Sequence, residues 1–435
     1  MDRTMDIDGG ETIKQGAGAR WATLAGFCAS LVGIGLARFA YTPLLPAIVG
    51  AHWFEASVAA YLGAANLAGY LAGALLGRPI AARWPVAATL RAMMVLATVA
   101  FFACAYPLSF AWFFAWRFLA GLAGGALMVL AAPAVLPLVP AARRGLAGGV
   151  IFMGVGVGVA ASGTLVPLLL AQGLRDAWLG LGVLSVALTA IAWKGWPRDG
   201  AAPPAPAGQA RPAQARPAQA RPAEARPAEA RPAGPQAASP RHRTPRVPGL
   251  RALYVEYALN AAGWVPHMIF LVDFVARGLG QGLQAGAQYW VLFGIGATVG
   301  PVLAGALADR TGFARALRLA FTLQACGVLV PALGLGAGWL MASSVVVGAF
   351  VTGTVPLVLG RVHELLAHHP AHRNPAWRTA TVGFALFQAL AAYALSFVFT
   401  RSGGDYGLLF VIGTGAMVLA LAIDLLAGKR ARAAA

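Results

Sequence analysis

One feature decides what this chain can become: stretches of about 20 apolar residues, each long enough to cross a bilayer as a helix, recur along almost its whole length. Twelve are found, at 21–48, 58–77, 92–106, 110–136, 146–170, 177–193, 252–276, 287–308, 316–335, 339–359, 379–400 and 408–427, joined by short loops bearing Arg, Pro or Gly. Lipid offers no hydrogen-bond partners, so a spanning segment must satisfy its own backbone, and runs of this length predict helices. The first, fourth and seventh are long enough to tilt or kink. A soluble globule is excluded, because only 11% of the 435 residues are charged, against about 25% in ordinary soluble domains.

The runs divide six and six around residues 197–249, which are Pro, Ala and Arg with almost nothing bulky and apolar. At its centre a five-residue repeat sets Arg211, Arg216, Arg221, Arg226 and Arg231 each before a proline. Such a segment can neither bury a core nor sustain a helix, and it reads as a disordered linker. The expected organisation is a cytoplasmic tail over 1–20, six helices over 21–196, the linker over 197–249, six more helices over 250–428 and a second tail over 429–435. The first apolar run is longer than the core of a signal peptide and is read as an uncleaved span. Cys28, Cys104 and Cys326 fall inside apolar runs as small packing residues, with no disulfide or metal spacing.

The net charge of +18 would by itself suggest nucleic acid or an anionic surface. The placement of the basic residues gives it a different meaning. With the N-terminus cytoplasmic, 28 Lys and Arg lie on the inner side and only Arg175, Arg277 and Arg401 on the outer, and without the linker the bias is still 17 to 3. The positive-inside rule then places both termini in the cytoplasm, with the lipid bilayer as partner and no nucleic acid required.

Between the eighth and ninth runs stands Gly305-Ala-Leu-Ala-Asp309-Arg310-Thr-Gly312-Phe-Ala-Arg315. It closely resembles the G-x-x-x-D-R-x-G-x-x-R gating loop of the major facilitator superfamily. The corresponding stretch of the first half, from Gly73 through Gly77 and Arg78 to Arg83, keeps the glycine and basic residues but has Gly77 in the aspartate position. Arg117 with Gly121 and Gly125 is similar to that superfamily's fourth-helix pattern, and Gly154 through Gly163 to Pro167 partly resembles the fifth-helix motif of its antiporters. The first-run segment Gly33-Ile-Gly-Leu-Ala-Arg38-Phe39-Ala-Tyr41-Thr42-Pro43-Leu-Leu-Pro46 looks like the signature of the bacterial YbfB/YjiJ-type branch. The resemblance covers both halves but not the linker. It implies an all-α integral membrane fold of twelve transmembrane helices in two pseudo-symmetric six-helix bundles, and a transport role without a named substrate.

Charged side chains inside a membrane cost a few kcal/mol at least, so those that are kept there are candidates for function. Arg38 lies about 25 Å along the first helix, and Arg117 at a similar depth in the fourth. No Asp or Glu occurs within the first six runs to neutralise them. Uncompensated arginines beside a cavity favour a carboxylate, which guanidinium grips bidentately; the alternative is that they bond helix carbonyls or pair with second-half acids. Tyr41 and Thr42 stand three and four residues beyond Arg38, Asn66 and Tyr70 make a similar pair in the second run, and Pro43 and Pro46 are expected to break the outer end of the first helix.

In the seventh run Glu256, Asn260 and His267 form a stripe about 16 Å long, Glu256 and His267 being about 20° from eclipsed, while Asp273 turns about 120° away from His267. Histidine titrates near neutrality, so His267, with Glu256 and Asp273, forms the candidate proton-coupling set; the alternative for Glu256 is solvation or a pair with Arg251. Gln388 shares a face with Thr381 in the eleventh run, and Asp424 is placed to pair with Lys429 or Arg430. The sequence His363-Glu364 through His368 and His369 to His372 has the wrong spacing for H-E-x-x-H and reads as a solvated loop without metal.

The candidate substrate-binding residues are therefore Arg38, Tyr41, Thr42, Asn66, Tyr70, Arg117, Asn260 and Gln388, and the gating-loop residues Gly305, Asp309, Arg310, Arg315 and Arg78. No phosphate-binding loop and no nucleophile–base pair is evident, so neither an enzyme nor a cofactor is expected. The sequence predicts a monomeric, multi-pass protein of the bacterial inner membrane that carries a small organic anion by alternating access, with H+ as co-substrate. The alternatives are a sensor or scaffold with the same fold, which Gly77 favours, and a proton-driven drug or metabolite exporter.

Overall fold

The structure, a computed structural model, describes residues 5–140, 143–197, 247 and 249–433. The expected linker lies almost wholly outside them, including the Arg211–231 repeat. All described residues belong to one compact unit.

Among the described residues there are twelve helical spans and no strand: Gly18–Gly50, Ala56–Ala81, Val86–Cys104, Phe110–Leu138, Leu146–Leu170 and Leu174–Ala192 in the first half, then Leu250–Gly278, Gly282–Thr311, Phe313–Leu333, Ala337–Leu365, Pro370–Arg401 and Tyr406–Gly428. They are numbered spans 1 to 12. The face of the molecule where span 1 begins and span 12 ends is called the terminal face, and the opposite one the far face.

Spans 1 and 7 are interrupted near their middles, and the interruptions occupy equivalent places in the two halves. Span 1 is α-helical to Ser30, widens to a π-helix over Leu31–Leu36, turns through 37–40 and resumes as Tyr41–Gly50. The break comes earlier than the prolines suggest. Pro43 sits in the first turn of the resumed helix, where an N–H has no intrahelical acceptor to lose. Span 7 runs Leu250–Gly263, breaks at Trp264, resumes as Val265–Asp273 with Pro266 in its first turn, and ends in a π-helix over Phe274–Gly278. Span 4, equally long, is one helix from Phe110 to Val135.

Glycines let neighbouring spans approach until backbones touch, as small-residue seams do in lipid. Spans 2 and 4 meet along Gly69, Gly73, Gly121 and Gly125; a Cβ at Gly121 would overlap the Asn66 carbonyl, and one at Gly69 the Phe118 carbonyl. Spans 8 and 10 repeat the arrangement in the second half, with Gly300 against Ala349 and Gly348 against Phe293.

The two halves pack on one another unevenly. One apolar cluster runs through the whole first half and the far half of the second, including Val265 to Val275, Trp290, Phe293 and Ala385 to Phe399. A separate cluster, containing Leu253, Ala308, Phe321, Leu357 and Ala380, fills the terminal end of the second half, and no first-half residue joins it. Between the halves spans 5 and 8 cross at Gly156 and Gly163, where a Cβ at Gly156 would lie 2.5 Å from the Thr298 nitrogen. Closer to the terminal face Gly149 and Gly305 have nothing within 4 Å of a Cβ. The halves are thus sealed at the far face and apart at the terminal face.

Gly121→Val and Gly348→Val are each expected to exceed the about 1–3 kcal/mol typical of overpacking, since a backbone must move to admit the side chain. Thermal unfolding in detergent checks this, with Gly383→Ala, which meets open space, leaving the melting temperature unchanged.

Candidate functional site

The two interrupted helices meet at their interruptions. Thr42 donates its hydroxyl to the Met268 carbonyl, the Phe39 and Trp264 rings stack with centroids 6.5 Å apart, and Arg38, 8% exposed, leans from span 1 across to the second half. The Arg38 Nη2 donates to Gln388 Oε1 of span 11 at 2.5 Å and to Met268 Sδ at 3.2 Å. Its guanidinium carbon stands 5.0 Å from the Phe39 ring centre, 5.0 Å from Tyr70 and 5.7 Å from Trp264. Among the described residues no carboxylate pairs with it. An aromatic cage softens the burial of a cation but does not neutralise it.

Three buried polar atoms in this cage have no partner: Arg38 Nε, Gln388 Nε2 and Trp264 Nε1. All three are N–H donors. A cation with spare donors is chemically complementary to an oxyanion.

Arg117 plays a different part. Its Nη1 donates to the Ala37 carbonyl at 2.8 Å, and its guanidinium carbon lies 4.2 Å from the centre of the Tyr41 ring. The Asn66 amide donates to the Arg117 carbonyl at 3.1 Å and to Ala37 at 3.5 Å, and Tyr41 donates its hydroxyl to the Ala59 carbonyl at 2.7 Å. Arg117, Tyr41 and Asn66 therefore brace the turn of span 1 that carries Arg38, giving the interrupted backbone the partners that lipid cannot. Of the expected substrate-binding residues, Arg38, Tyr70 and Gln388 come together, Thr42, Tyr41, Asn66 and Arg117 frame them, and Asn260 stands elsewhere.

Asn260 faces into the second half, where it donates to Gln324 Oε1 of span 9 at 2.6 Å. His267, fully buried, bonds through Nε2 to Ser343 Oγ of span 10 at 2.9 Å. Glu256 is 2% exposed and makes no ion pair among the described residues, Arg251 being exposed instead. Asp273 is held at the far face by Arg277 and by the Tyr406 hydroxyl, 2.6 Å away. Asp424 pairs with Arg318 of span 9, a partner distant in sequence; the Lys429 and Arg430 side chains lie outside the described residues. Cys326 is exposed on the outside of its bundle rather than packed.

Asp309, Arg310, Arg315 and Arg78 lie at the terminal face and join no ion pair among the described residues, as expected of loops on halves that stand apart there. Gly312 takes φ +81° between spans 8 and 9, a conformation that favours glycine. Sequence reasoning missed Trp264, Met268, Gln324 and Ser343. The interruption signal at Gly263 and Pro266, placed as in span 1, points to the first two.

No curated protein matches the chain. Among solved structures it is similar to a bacterial homologue of the human lysosomal transporter Spinster in an inward-facing, occupied conformation (15% identity, 94% of this chain and 96% of that one, TM-score 0.64). It is similar also to a point mutant of the nucleoside transporter NupG (13%, 93% and 99%, TM-score 0.67) and to the xylose transporter XylE of E. coli in a partially occluded inward-open conformation (13%, 93% and 96%, TM-score 0.66). These likenesses show the fold. The family described as "Uncharacterised MFS-type transporter YbfB" matches residues 30–225 and 221–425, most of the chain, and the protein belongs to that family of multi-pass membrane transporters of the major facilitator superfamily.

Proposed function

We propose that the protein is a secondary transporter of a small organic anion, a carboxylate above all, that binds between the two halves at Arg38 and is carried by alternating access with protons as the coupling ion. The observation that carries this reading is the cage of unpartnered donors around one buried guanidinium. The Gln388 carboxamide oxygen sits against Arg38 as a carboxylate oxygen would. A substrate oxyanion would displace it and take up Arg38 Nε, the Gln388 amide and the Trp264 indole N–H. A neutral sugar or an amine leaves the charge uncompensated.

Both termini on the cytoplasmic side of a bacterial inner membrane make the terminal face the inner one. The protein then stands closed to the outside and parted toward the cytoplasm. Spans 1 and 7, each jointed in the middle, let the outer seal between Tyr41–Gly50 and Val265–Asp273 open while the inner halves close. The energy comes from an ion gradient or from the substrate's own gradient, and His267 is the candidate group for proton uptake.

Thermal shift in detergent with acetate, succinate and benzoate, each beside its uncharged amide, tests the anion site. At least one acid is expected to stabilise the wild type while its amide does not. Arg38→Ala is expected to weaken that acid about 10- to 150-fold, the equivalent of one hydrogen bond to a charged group, while Arg38→Lys keeps part of the binding. Equal binding by wild type and Arg38→Ala removes the anion site.

In proteoliposomes an imposed pH gradient is expected to drive accumulation of the acid that binds. His267→Asn should retain counterflow and lose that accumulation; an unaltered response would exclude His267 from coupling. Binding without any flux would instead assign a sensor.

A further inference from the structure

We infer that the second bundle contains its own hydrated proton path, a buried column of water-binding side chains behind span 7 that ends at His267 and is separate from the anion site. The inference rests on the proton-coupled reading above and locates the route.

Span 7 has two working faces. Trp264 and Met268 face Arg38, whereas Glu256, Asn260 and His267 face spans 9, 10 and 12 of their own bundle. On that second face the bonds run as a chain. Ser343 donates its only hydroxyl hydrogen to the Gly327 carbonyl at 2.6 Å, so toward His267 it accepts, and the imidazole carries its hydrogen on Nε2. Nδ1 is then a bare acceptor, buried and without a partner. One turn from Gly327 on span 9 is Gln324, which takes the amide of Asn260, and one turn below Asn260 is Glu256. Span 10 runs antiparallel to span 7. From Ser343 to Thr354 is eleven residues, as from His267 to Glu256, which on a helix is the same face about 16 Å away. Thr354 therefore lies at the depth of Glu256, and the two spans line one column from opposite sides.

Four atoms of that column have no protein partner: His267 Nδ1, Asn260 Oδ1, Gln324 Nε2 and Thr354 Oγ1, all on residues with 0% exposure. An unsatisfied buried polar group is costly, and four in one file would be a severe burden on a dry bundle. They include both donors and acceptors, and water, which offers both, is the partner of the right size.

The ends of the column differ. Toward the terminal face stand the charged groups, Glu256 with the Arg318–Asp424 pair of spans 9 and 12 and the Arg361–Glu364 pair of span 10, while span 11 presents Trp377 and Phe384 against Tyr257. Toward the far face Phe410 meets the His267 ring edge-on at 5.2 Å and packs on Phe274, which packs on Tyr406; beyond this aromatic plug is the pair of Asp273 and Arg277. A proton entering at the terminal face would leave the Glu256 carboxyl, pass along water and add to His267 Nδ1. The products are the Glu256 carboxylate and an imidazolium that still donates Nε2–H to Ser343. His267 and Met268 are neighbours in the chain, and Met268 touches Arg38, so proton site and anion site share one short helix.

Exchange of the imidazole Cε1 hydrogen for deuterium tests this without any substrate, because it requires both protonation of the ring and water beside it. Wild-type protein in detergent is incubated across about pD 5 to 9, and each histidine is read by mass spectrometry. His267 is expected to exchange at a rate within about tenfold of exposed His368, despite its complete burial. Thr354→Val, nearly isosteric, and Asn260→Leu are expected to slow His267 several-fold and leave His368 unchanged. A silent His267 beside an exchanging His368 overturns the column, and so does a rate that neither variant alters. Should Asn260→Leu not fold, wild type and Thr354→Val still decide. Absence of pH-driven accumulation in wild-type vesicles is a separate result and overturns the coupling reading instead.

Discussion

A guanidinium buried at the junction of two helix breaks, with no carboxylate among the described residues to pair it, is the constraint around which the middle of this protein is arranged. A charge in that place needs hydrogen bonds, and the flanking backbone, freed from its helix by the interruption of span 1, needs them too. The two requirements are met together. Arg117 and Asn66 satisfy the Ala37 carbonyl, the rings of Phe39, Tyr70 and Trp264 surround the Arg38 charge, and Gln388 supplies an oxygen from the other half. The bond between Arg38 and Gln388 crosses the divide between the halves, so whatever binds Arg38 also acts on the contact between them.

The uneven packing of the halves follows from where such contacts are possible. At the far face the resumed segments of spans 1 and 7 are joined by Thr42 and the Met268 carbonyl, and spans 5 and 8 touch through glycine. At the terminal face the two halves keep separate apolar clusters, and the basic loops around Arg78 and Arg310 are exposed. Like charges on facing loops disfavour closure, so closing the terminal face requires a compensating acid. Asp309 supplies one from the second half; Gly77 supplies none from the first. The charge complement of these loops is therefore asymmetric although the helices around them are symmetric.

Much of this was legible in the sequence, and the reasons are physical. Helices in lipid must be long, apolar and self-satisfied, which is why twelve spans could be counted and divided, and why the glycine pattern of Gly121 and Gly125 could be read as a close approach. Arg38 and Arg117 stood out because uncompensated charges in apolar runs are rare. What could not be read was their division of labour. Both are buried arginines at similar depth, and only tertiary structure shows that one bonds a backbone carbonyl of its own half while the other reaches across to Gln388. The prolines of span 1 misled because Pro43 suits the first turn of the helix it helps begin, and Pro46 is carried inside the resumed helix Tyr41–Gly50. Asp424 found Arg318 because packing of spans 9 and 12 brings together residues more than a hundred positions apart.

The stripe on span 7 shows how far helical periodicity carries. Counting at 100° per residue gathered Glu256, Asn260 and His267 correctly onto one side, even across the break at Trp264, but could not say which side faced the divide. Trp264 and Met268 turn to Arg38 and His267 turns to its own bundle, so both places are tied to a single nine-residue helix, Val265–Asp273. That helix is hinged at Trp264 below, carries the far-face contact with span 1, and is anchored above by Asp273 to Arg277 and Tyr406. Small tilts of it would be felt at both sites and at the outer seal at once.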